Sequence, residues 1–230
     1  MPGNGAMRFR AVGYCMSLLE DKGRAKTFYR YLSTVYDEVN KFFWTEAMRS
    51  EALSMLTIDR TDRVLDVGCG TGFGTAGLLD HTDRVDALDQ SPEQLDRARA
   101  KFGDDDRVTL HRGDAERLPF ADDSFDVGWS SGSIEYWPNP VEALRELRRV
   151  AKPGGQVLVV GPDAPNNAAA RRLADAVMLF YDEAEATRMF RDAGFTEIRH
   201  RVLQRSPRSP RAIATVAVVP ERYSSPPFRR

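Results

Sequence analysis

The 230-residue sequence predicts a single α/β domain whose mostly parallel sheet is covered by helices on both faces. Three observations carry this. From residue 63 onward, short valine- and leucine-rich runs alternate with helical stretches, the pattern of repeated strand–helix–strand units. Two of the intervening helices open with a capping residue followed by proline, at Ser91-Pro92 and Asn139-Pro140, where proline's missing N–H costs nothing. The composition, 42% hydrophobic and 29% charged, is that of a soluble chain long enough to bury one core.

In chain order, Phe28, Tyr31, Leu32, Val35, Val39, Phe42 and Phe43 recur at three- and four-residue steps. They predict an amphipathic helix, broken near Asn40 and resumed through "TEAMRSEALSML". Strands follow at "RVLDVG", "RVDALD", "RVTLHRGD", "FDVGWSS" and "QVLVVG", with helices beginning near Thr75, Ser91 and Asn139. "KPGGQ" at 152–156 reads as a turn between a helix and the fifth strand. "PDAPNN" is then a loop, and "AAARRLADAVMLF" and "DEAEATRMFRDAGF" are helices, the second stopped at Gly194. "TEIRHRVLQ" and "AIATVAVV" finish as strands joined by "RSPRSPR", a solvated hairpin loop. The expected organisation is a flexible extension over 1–25, one domain over 26–219 (26–57 a helical cap, 58–219 the core) and a flexible tail over 220–230. Met16 is an alternative start.

Several function classes are excluded at this level. A formal net charge of −1 produces no field that recruits nucleic acid or an anionic membrane. Cys15 and Cys69 are too few and too far apart for a disulfide framework, and the scattered His81, His111 and His200 offer no metal-ligand spacing, so no metal is expected. No apolar run approaches the roughly 20 residues of a membrane span. "AVGYCMSLLEDKG" does not read as a signal peptide, which predicts a cytoplasmic protein.

In an open α/β sheet, ligands bind beyond the carboxyl ends of the strands. Strand one ends in Asp66 and then "GCGTG", with Gly68, Cys69, Gly70 and Gly72; strand two ends in Asp89 and Gln90, strand three in Asp114 and Ala115, strand four in Ser130, Ser131 and Gly132. No lysine follows the glycines as a phosphate loop requires, and Phe73 stands where a dinucleotide fingerprint would place its last glycine. Three carboxylates would also repel a pyrophosphate. They suit a cationic ligand with an amine, a ribose and a base, and S-adenosylmethionine is such a molecule. Asp89 could then accept from ribose hydroxyls and Asp66 with the Gly68 backbone could orient the ammonium. Asp114 could accept from the adenine amino group, the Ala115 amide could donate to a ring nitrogen, and Leu118 and Phe120 could flank the base. Each piece alone has a plainer reading, a tight connection or a helix cap; their combination at these intervals carries the inference.

"LDVGCGTGFG", "ALDQS", "GDAERLPF" with "DDSFDV", and "LRRVAKPGGQVLVVG" resemble the successive motifs of class I S-adenosylmethionine-dependent methyltransferases. "FYRYLSTVYDEVN", "WTEAMR", "DQSPEQL", "GSIEYWPNP" and "LADAVMLFYDEAEATRMFRDAGF" resemble, more narrowly, the quinone-ring C-methyltransferases of the 2-methyl-6-polyprenyl-1,4-benzoquinol type. These serve plastoquinone and tocopherol synthesis, with relatives acting on menaquinone and ubiquinone precursors. The likeness extends over residues 27–200. It implies a Rossmann-like seven-stranded sheet of order 3-2-1-4-5-7-6 with strand seven antiparallel, and N-terminal helices that bring Tyr36 and Trp44 over the cofactor. The "GPDAPNN" loop departs from the plant pattern. The chain reads as lacking a transit segment and a C-terminal anchor, which predicts a prokaryotic enzyme, peripheral at the membrane if bound to it at all.

The implied chemistry needs a base near the acceptor phenol, a contribution of roughly 10²–10⁴-fold. Glu135 is the first candidate, Tyr136 could hydrogen-bond a ring oxygen, and Trp137 could stack on the ring. Met178, Phe180 and Tyr181 could line a path for a prenyl tail. The alternatives are a capping role for Glu135 and core packing for the apolar residues. At the level of function the alternatives are a methyltransferase for a sterol or phenolic acceptor, a non-catalytic S-adenosylmethionine-binding partner protein, and, least favoured, a nicotinamide oxidoreductase.

Overall fold

In the computed structural model the described residues are 45–164, 179, 181–207 and 209–221. Tyr36, Trp44, Met178 and Phe180 lie outside them, as do the extension over 1–25, the cap up to residue 44, most of the helix expected over 168–180 and the tail beyond 221. The helices are α1 (Glu46–Leu53), α2 (Phe73–Leu78), α3 (Pro92–Phe102), α4 (Pro140–Val150) and α5 (Glu183–Asp192). The strands are β1 (Val64–Val67), β2 (Val85–Asp89), β3 (Val108–Arg112), β4 (Phe125–Ser131), β5 (Ala151–Pro162), β6 (Thr196–Gln204) and β7 (Arg211–Val218). They form one seven-stranded sheet of order β3-β2-β1-β4-β5-β7-β6. The strands from β1 to β5 pair in parallel, and β7 runs antiparallel to both β5 and β6. This is the expected Rossmann-like order, with strand seven reversed.

The central strands explain why the sheet is buried on both faces. Every residue of β1 ("VLDV") and β2 ("VDALD") is buried, the aspartates included, as strands covered by helices on both faces must be. One face packs Val64, Trp129, Leu158 and Val160 with residues of α1 and α2, such as Met48 and Leu78. The other packs Leu65, Val67 and Val159 with Leu144 and Leu147 of α4 and Phe190 of α5. The sheet's carboxyl ends are thereby held between two helical layers, with the connecting turns standing above them.

Local chemistry accounts for the element ends. Ser91 Oγ accepts from Gln94 N at 3.2 Å, capping α3 ahead of Pro92. Asp182 and Glu185 form a reciprocal capping box at α5. Asn139 departs from expectation, because its side chain makes no capping bond. Its backbone N and Nδ2 donate instead to Glu116 at 2.8 and 3.1 Å, tying α4 to the turn after β3. The turn expected over "KPGGQ" is not a separate element. β5 already starts at Ala151, and the Gly-Gly pair is absorbed as a register shift against β4, between the Phe125–Ala151 and Val127–Gln156 pairings, with Gly154 at φ +76°.

His200, on β6, sits between two threonines, with Nδ1 2.9 Å from Thr215 Oγ1 and Nε2 2.7 Å from Thr187 Oγ1. His111 pairs with Asp86 at 2.7 Å on the sheet face, away from any catalytic arrangement. Among the described residues no helix is long and apolar enough to cross a membrane.

Candidate functional site

The turn after β1 is built to stay open. Gly68 N and Cys69 N both donate to Leu88 O, at 2.8 and 3.0 Å, which fastens the turn to the end of β2. Gly68 has φ +71°, and a Cβ there would lie 2.0 Å from Ser133 Oγ; only glycine fits. Gly70 has φ +55° but a Cβ there would meet nothing within 4 Å among the described residues. Its bare face looks into open space, as a surface for close ligand approach should. Gly72, in the left-handed region, starts α2. Cys69 is buried, and burial pushes its thiol up, so it is a packing residue and not a nucleophile.

Two carboxylates flank this opening. Asp89 Oδ2 accepts from Gly70 N at 2.9 Å and Oδ1 from Ser91 N at 2.8 Å, leaving lone pairs on each oxygen for a further donor. Burial raises its carboxyl, and the bonds from Ser91, Gly70 and Gln90 lower it. Gln90 itself is exposed. Asp66 is 1% exposed and accepts from Thr75 Oγ1 at 2.7 Å. Burial pushes Asp66 up to about 7, opposed by the Thr75 bond and assisted by the charge of Asp89. A buried carboxyl held in this state favours a cation brought against it.

The turn after β3 forms the next wall. Asp114 is exposed and its Oδ1 accepts from Glu116 N at 3.0 Å; Ala115 beside it is half-buried. Leu118 is in the core, its N donating to Glu146 Oε2 at 2.8 Å. Phe120 is half-buried and packs edge-on between His111 and Phe125, centroids 4.9 Å from each. Arg149 of α4 holds the Leu118 and Phe120 carbonyls at 3.1 and 2.8 Å.

After β4, Ser130 is fully buried and its Oγ has no partner among the described residues, while Ser131 is half-buried. A 3-10 turn, Ile134–Tyr136, follows. Glu135 is 8% exposed, its Oε2 has no partner among the described residues, and burial pushes its carboxyl up to about 7. Its carbonyl accepts from Leu179 N at 3.2 Å, so the turn is pinned by the chain returning toward α5. Tyr136 is half-exposed. Trp137 packs in the core and donates Nε1 to Ser133 Oγ at 3.0 Å. Tyr181 is also in the core, its hydroxyl filling the space that Gly161 leaves. Of the four residues expected at the acceptor, these two are described, and both are buried.

Sequence reasoning missed Ser133, Thr75 and Arg49. Ser133 meets Gly68 only through the fold. Thr75 follows Asp66 by nine residues and reaches it because α2 turns back over β1. Arg49 lies in the "WTEAMR" stretch and crosses onto α2, with NH1 2.8 Å from Phe73 O. Among the described residues no group of three or more His, Cys, Asp or Glu could hold a metal ion.

Open main chain at Gly70 between the Asp66 and Asp89 carboxylates fits a cationic nucleoside and disfavours a diphosphate. The sheet order and the reversed β7 are those of the class I S-adenosylmethionine-dependent methyltransferase fold. A family model described as "Methyltransferase domain" matches residues 65–159. The chain is similar to the chloroplastic 2-methyl-6-phytyl-1,4-hydroquinone methyltransferase 1 of Oryza sativa subsp. japonica, at 45% identity over 185 residues, covering 79% of this chain and 56% of the relative. It is 29% identical over 167 residues to the demethylmenaquinone methyltransferase of Chlorobaculum parvum, covering 68% of each. Among solved structures, a chain of the complex between the Haloferax volcanii Trm112 methyltransferase activator and a putative methyltransferase matches with a TM-score of 0.72 and 25% identity, over 87% of this chain and 99% of that one. The chain spans a little over half the length of the plant relatives it matches.

Proposed function

We propose that the protein binds S-adenosylmethionine in the glycine crevice and C-methylates the ring of a prenylated quinol, of the benzoquinol or demethylmenaquinol type. The observation that carries the cofactor half is the open face of Gly70 between two buried carboxylates. The acceptor half is supported by the likeness to hydroquinone and menaquinone-type methyltransferases. In this reading Asp89, with Gln90 beside it, takes the ribose hydroxyls, and Asp66 with the Gly68 backbone orients the ammonium. Asp114 and Ala115 read the adenine edge, and Cys69, Gly70, Gly72, Ser130 and Ser131 shape the walls. Tyr36 and Trp44 of the N-terminal cap, within a single domain over 26–219, cover the ligand.

Bound there, the cofactor supplies an electrophilic methyl group on a sulfonium. The protein's own task is alignment, exclusion of water and removal of a phenolic proton. Glu135 suits the last: it follows β4, is buried, carries a free Oε2, and has its proton affinity tuned near neutrality. In accepting the phenolic proton it raises the electron density of the ring carbon ortho to that oxygen. Tyr136 hydrogen-bonds a ring oxygen and Met178 and Phe180 border the acceptor, while Trp137 and Tyr181, expected there from the sequence, are spent on core packing. A prenylated acceptor partitions into a bilayer, so the enzyme works as a cytoplasmic protein that meets the inner membrane face peripherally.

Incubation with methyl-labelled S-adenosylmethionine and separate prenylated benzoquinol and demethylmenaquinol pools tests this. Label in a quinol ring is the expected result, and the pool labelled assigns the ring. Label only in protein or nucleic acid would overturn the acceptor assignment.

A further inference from the structure

The 3-10 turn that carries Glu135 (Ile134–Tyr136) is held at both ends by the two turns of the crevice. At its start Ser133 stands against the glycine turn, its Oγ occupying the space a Cβ on Gly68 would need and accepting from Trp137 Nε1 at 3.0 Å. Beyond its far end Asn139 meets Glu116 of the turn after β3 twice: Asn139 N donates to Oε1 at 2.8 Å and Nδ2 to Oε2 at 3.1 Å. Glu116 N in turn donates to Asp114 Oδ1 at 3.0 Å. Between the two anchors Trp137 lies in the core cluster that also holds Leu118, with Ala115 packed against it. Glu135 Oε2 has no partner among the described residues, so the position of the turn sets the position of the carboxyl.

The Glu116–Asn139 pair is not what α4 needs for its own start. Asn139 stands at the N-cap of α4, where an asparagine side chain ordinarily accepts from a first-turn N–H and contributes about 1 kcal/mol. Here it makes no such bond; its amide crosses instead to a carboxylate on another turn. Asn139 is exposed and Glu116 half-buried, so packing of apolar surface does not account for the contact. Two bonds to one carboxylate fix an orientation that a single bond would leave free to pivot.

We infer, on the acceptor reading above, that Glu116 is a positioning residue: through Asn139 it keeps the Glu135 turn in register with the turn that reads the adenine edge. The adenine-side turn thereby governs turnover as well as affinity, and the base faces the acceptor only while both turns are seated.

Exchanging the two partners tests it. Asn139→Asp sets two carboxylates against each other while keeping a good capping residue at the start of α4. Turnover of a prenylated quinol at saturating cofactor is expected to fall roughly ten- to hundredfold, as displacement of a reacting group should. It is read on the plateau above about 7, where Glu135 is ionised. Affinity for S-adenosylhomocysteine, measured by calorimetry, should change far less, because Asp114 keeps its bond from Glu116 N. Adding Glu116→Gln should restore most of the turnover, since its amide donates to the new carboxylate while its oxygen still accepts from the backbone N–H of position 139. A capping role alone predicts full activity for Asn139→Asp, so an unchanged kcat overturns the assignment. Equal loss of kcat and affinity overturns it too, as does failure of the second substitution to rescue the first. Absence of quinol methylation by the unaltered protein would instead remove the acceptor reading, and this inference with it.

Discussion

Gly70 donates its backbone N–H to Asp89 Oδ2 at 2.9 Å, so the glycine turn and the acid of β2 form one unit before any ligand arrives. Asp89 also accepts from Ser91 N. Asp89→Ala should therefore act twice, removing the proposed ribose acceptor and leaving two N–H groups unsatisfied. Hydrogen bonds to a charged group contribute about 1.5–3 kcal/mol each, so affinity for S-adenosylmethionine should fall at least tenfold, with a lower melting temperature. Asp89→Asn keeps one acceptor oxygen and should lose less of both. Titration calorimetry that found Asp89→Ala binding as tightly as the unaltered protein would remove the ribose assignment.

Two neighbouring glycines should fail in different ways. Both have positive φ, which strains any side chain. Gly68→Ala adds a collision with Ser133 Oγ, and Ser133 in turn receives Trp137 Nε1, so the 3-10 turn must shift. We expect a loss of stability of about 1–3 kcal/mol or more. Gly70→Ala meets no atom of the described residues within 4 Å and should cost about 1 kcal/mol of backbone strain. Its methyl group projects into the ligand space, so its larger effect should be on affinity. Parallel denaturant melts and binding titrations check the contrast. Equal stability losses with unchanged affinity in Gly70→Ala would mean the open face at Gly70 holds no ligand.

The sheet was legible because its information is local. The valine- and leucine-rich β1 and β2 runs, Ser91 ahead of Pro92, and Asp66 and Asp89 at strand ends are each visible within a few residues. The strand order was not local and came from resemblance to known motifs. What stayed hidden depended on contacts between distant segments. Asn139 looks like a cap but spends its amide on Glu116. "KPGGQ" looks like a turn, yet β4 keeps pairing past it. Ser133, Thr75 and Arg49 belong to the site only once the turn, α2 and α1 are stacked. The burial of Glu135, which sets its chemistry, follows from the fold and leaves no mark in "GSIEYWP".

His200 makes acid stability testable. Thr187 Oγ1 donates to Glu183 O at 2.8 Å, so it accepts from His200 Nε2–H. Thr215 then donates to His200 Nδ1, an arrangement that requires the neutral ring. Burial lowers the proton affinity of His200, with Glu183 acting in the opposite direction. The unfolded chain thus protonates this residue more readily than the folded one. Its contribution to stability is present above the ordinary histidine value and is lost as pH falls through it toward the lower folded value. Denaturant midpoints measured across this range should fall on acidification, and His200→Gln should flatten that part of the profile. An unchanged profile in the variant would show that other groups govern acid unfolding.

Asp66 and Glu135 are both pushed up to about 7 by burial, yet their pH effects should separate. The folded protein holds protons on both that an unfolded chain, with values of 3.8 and 4.5, has released. Each therefore favours folding at low pH, an advantage lost as pH rises toward about 7. Function should move the opposite way. Ionised Asp66 attracts the cofactor ammonium, so affinity for S-adenosylmethionine should strengthen as pH rises through about 7. Ionised Glu135 accepts the phenolic proton, so kcat at saturating cofactor should rise over the same range. Glu135→Gln should lower kcat by roughly two to four orders of magnitude and abolish its rise near 7, while the pH dependence of cofactor affinity persists. Should Glu135→Gln turn over at the original rate, the base lies elsewhere. Should it instead erase the pH dependence of affinity, the carboxyl that senses the cofactor is Glu135, and the ammonium assignment of Asp66 is wrong.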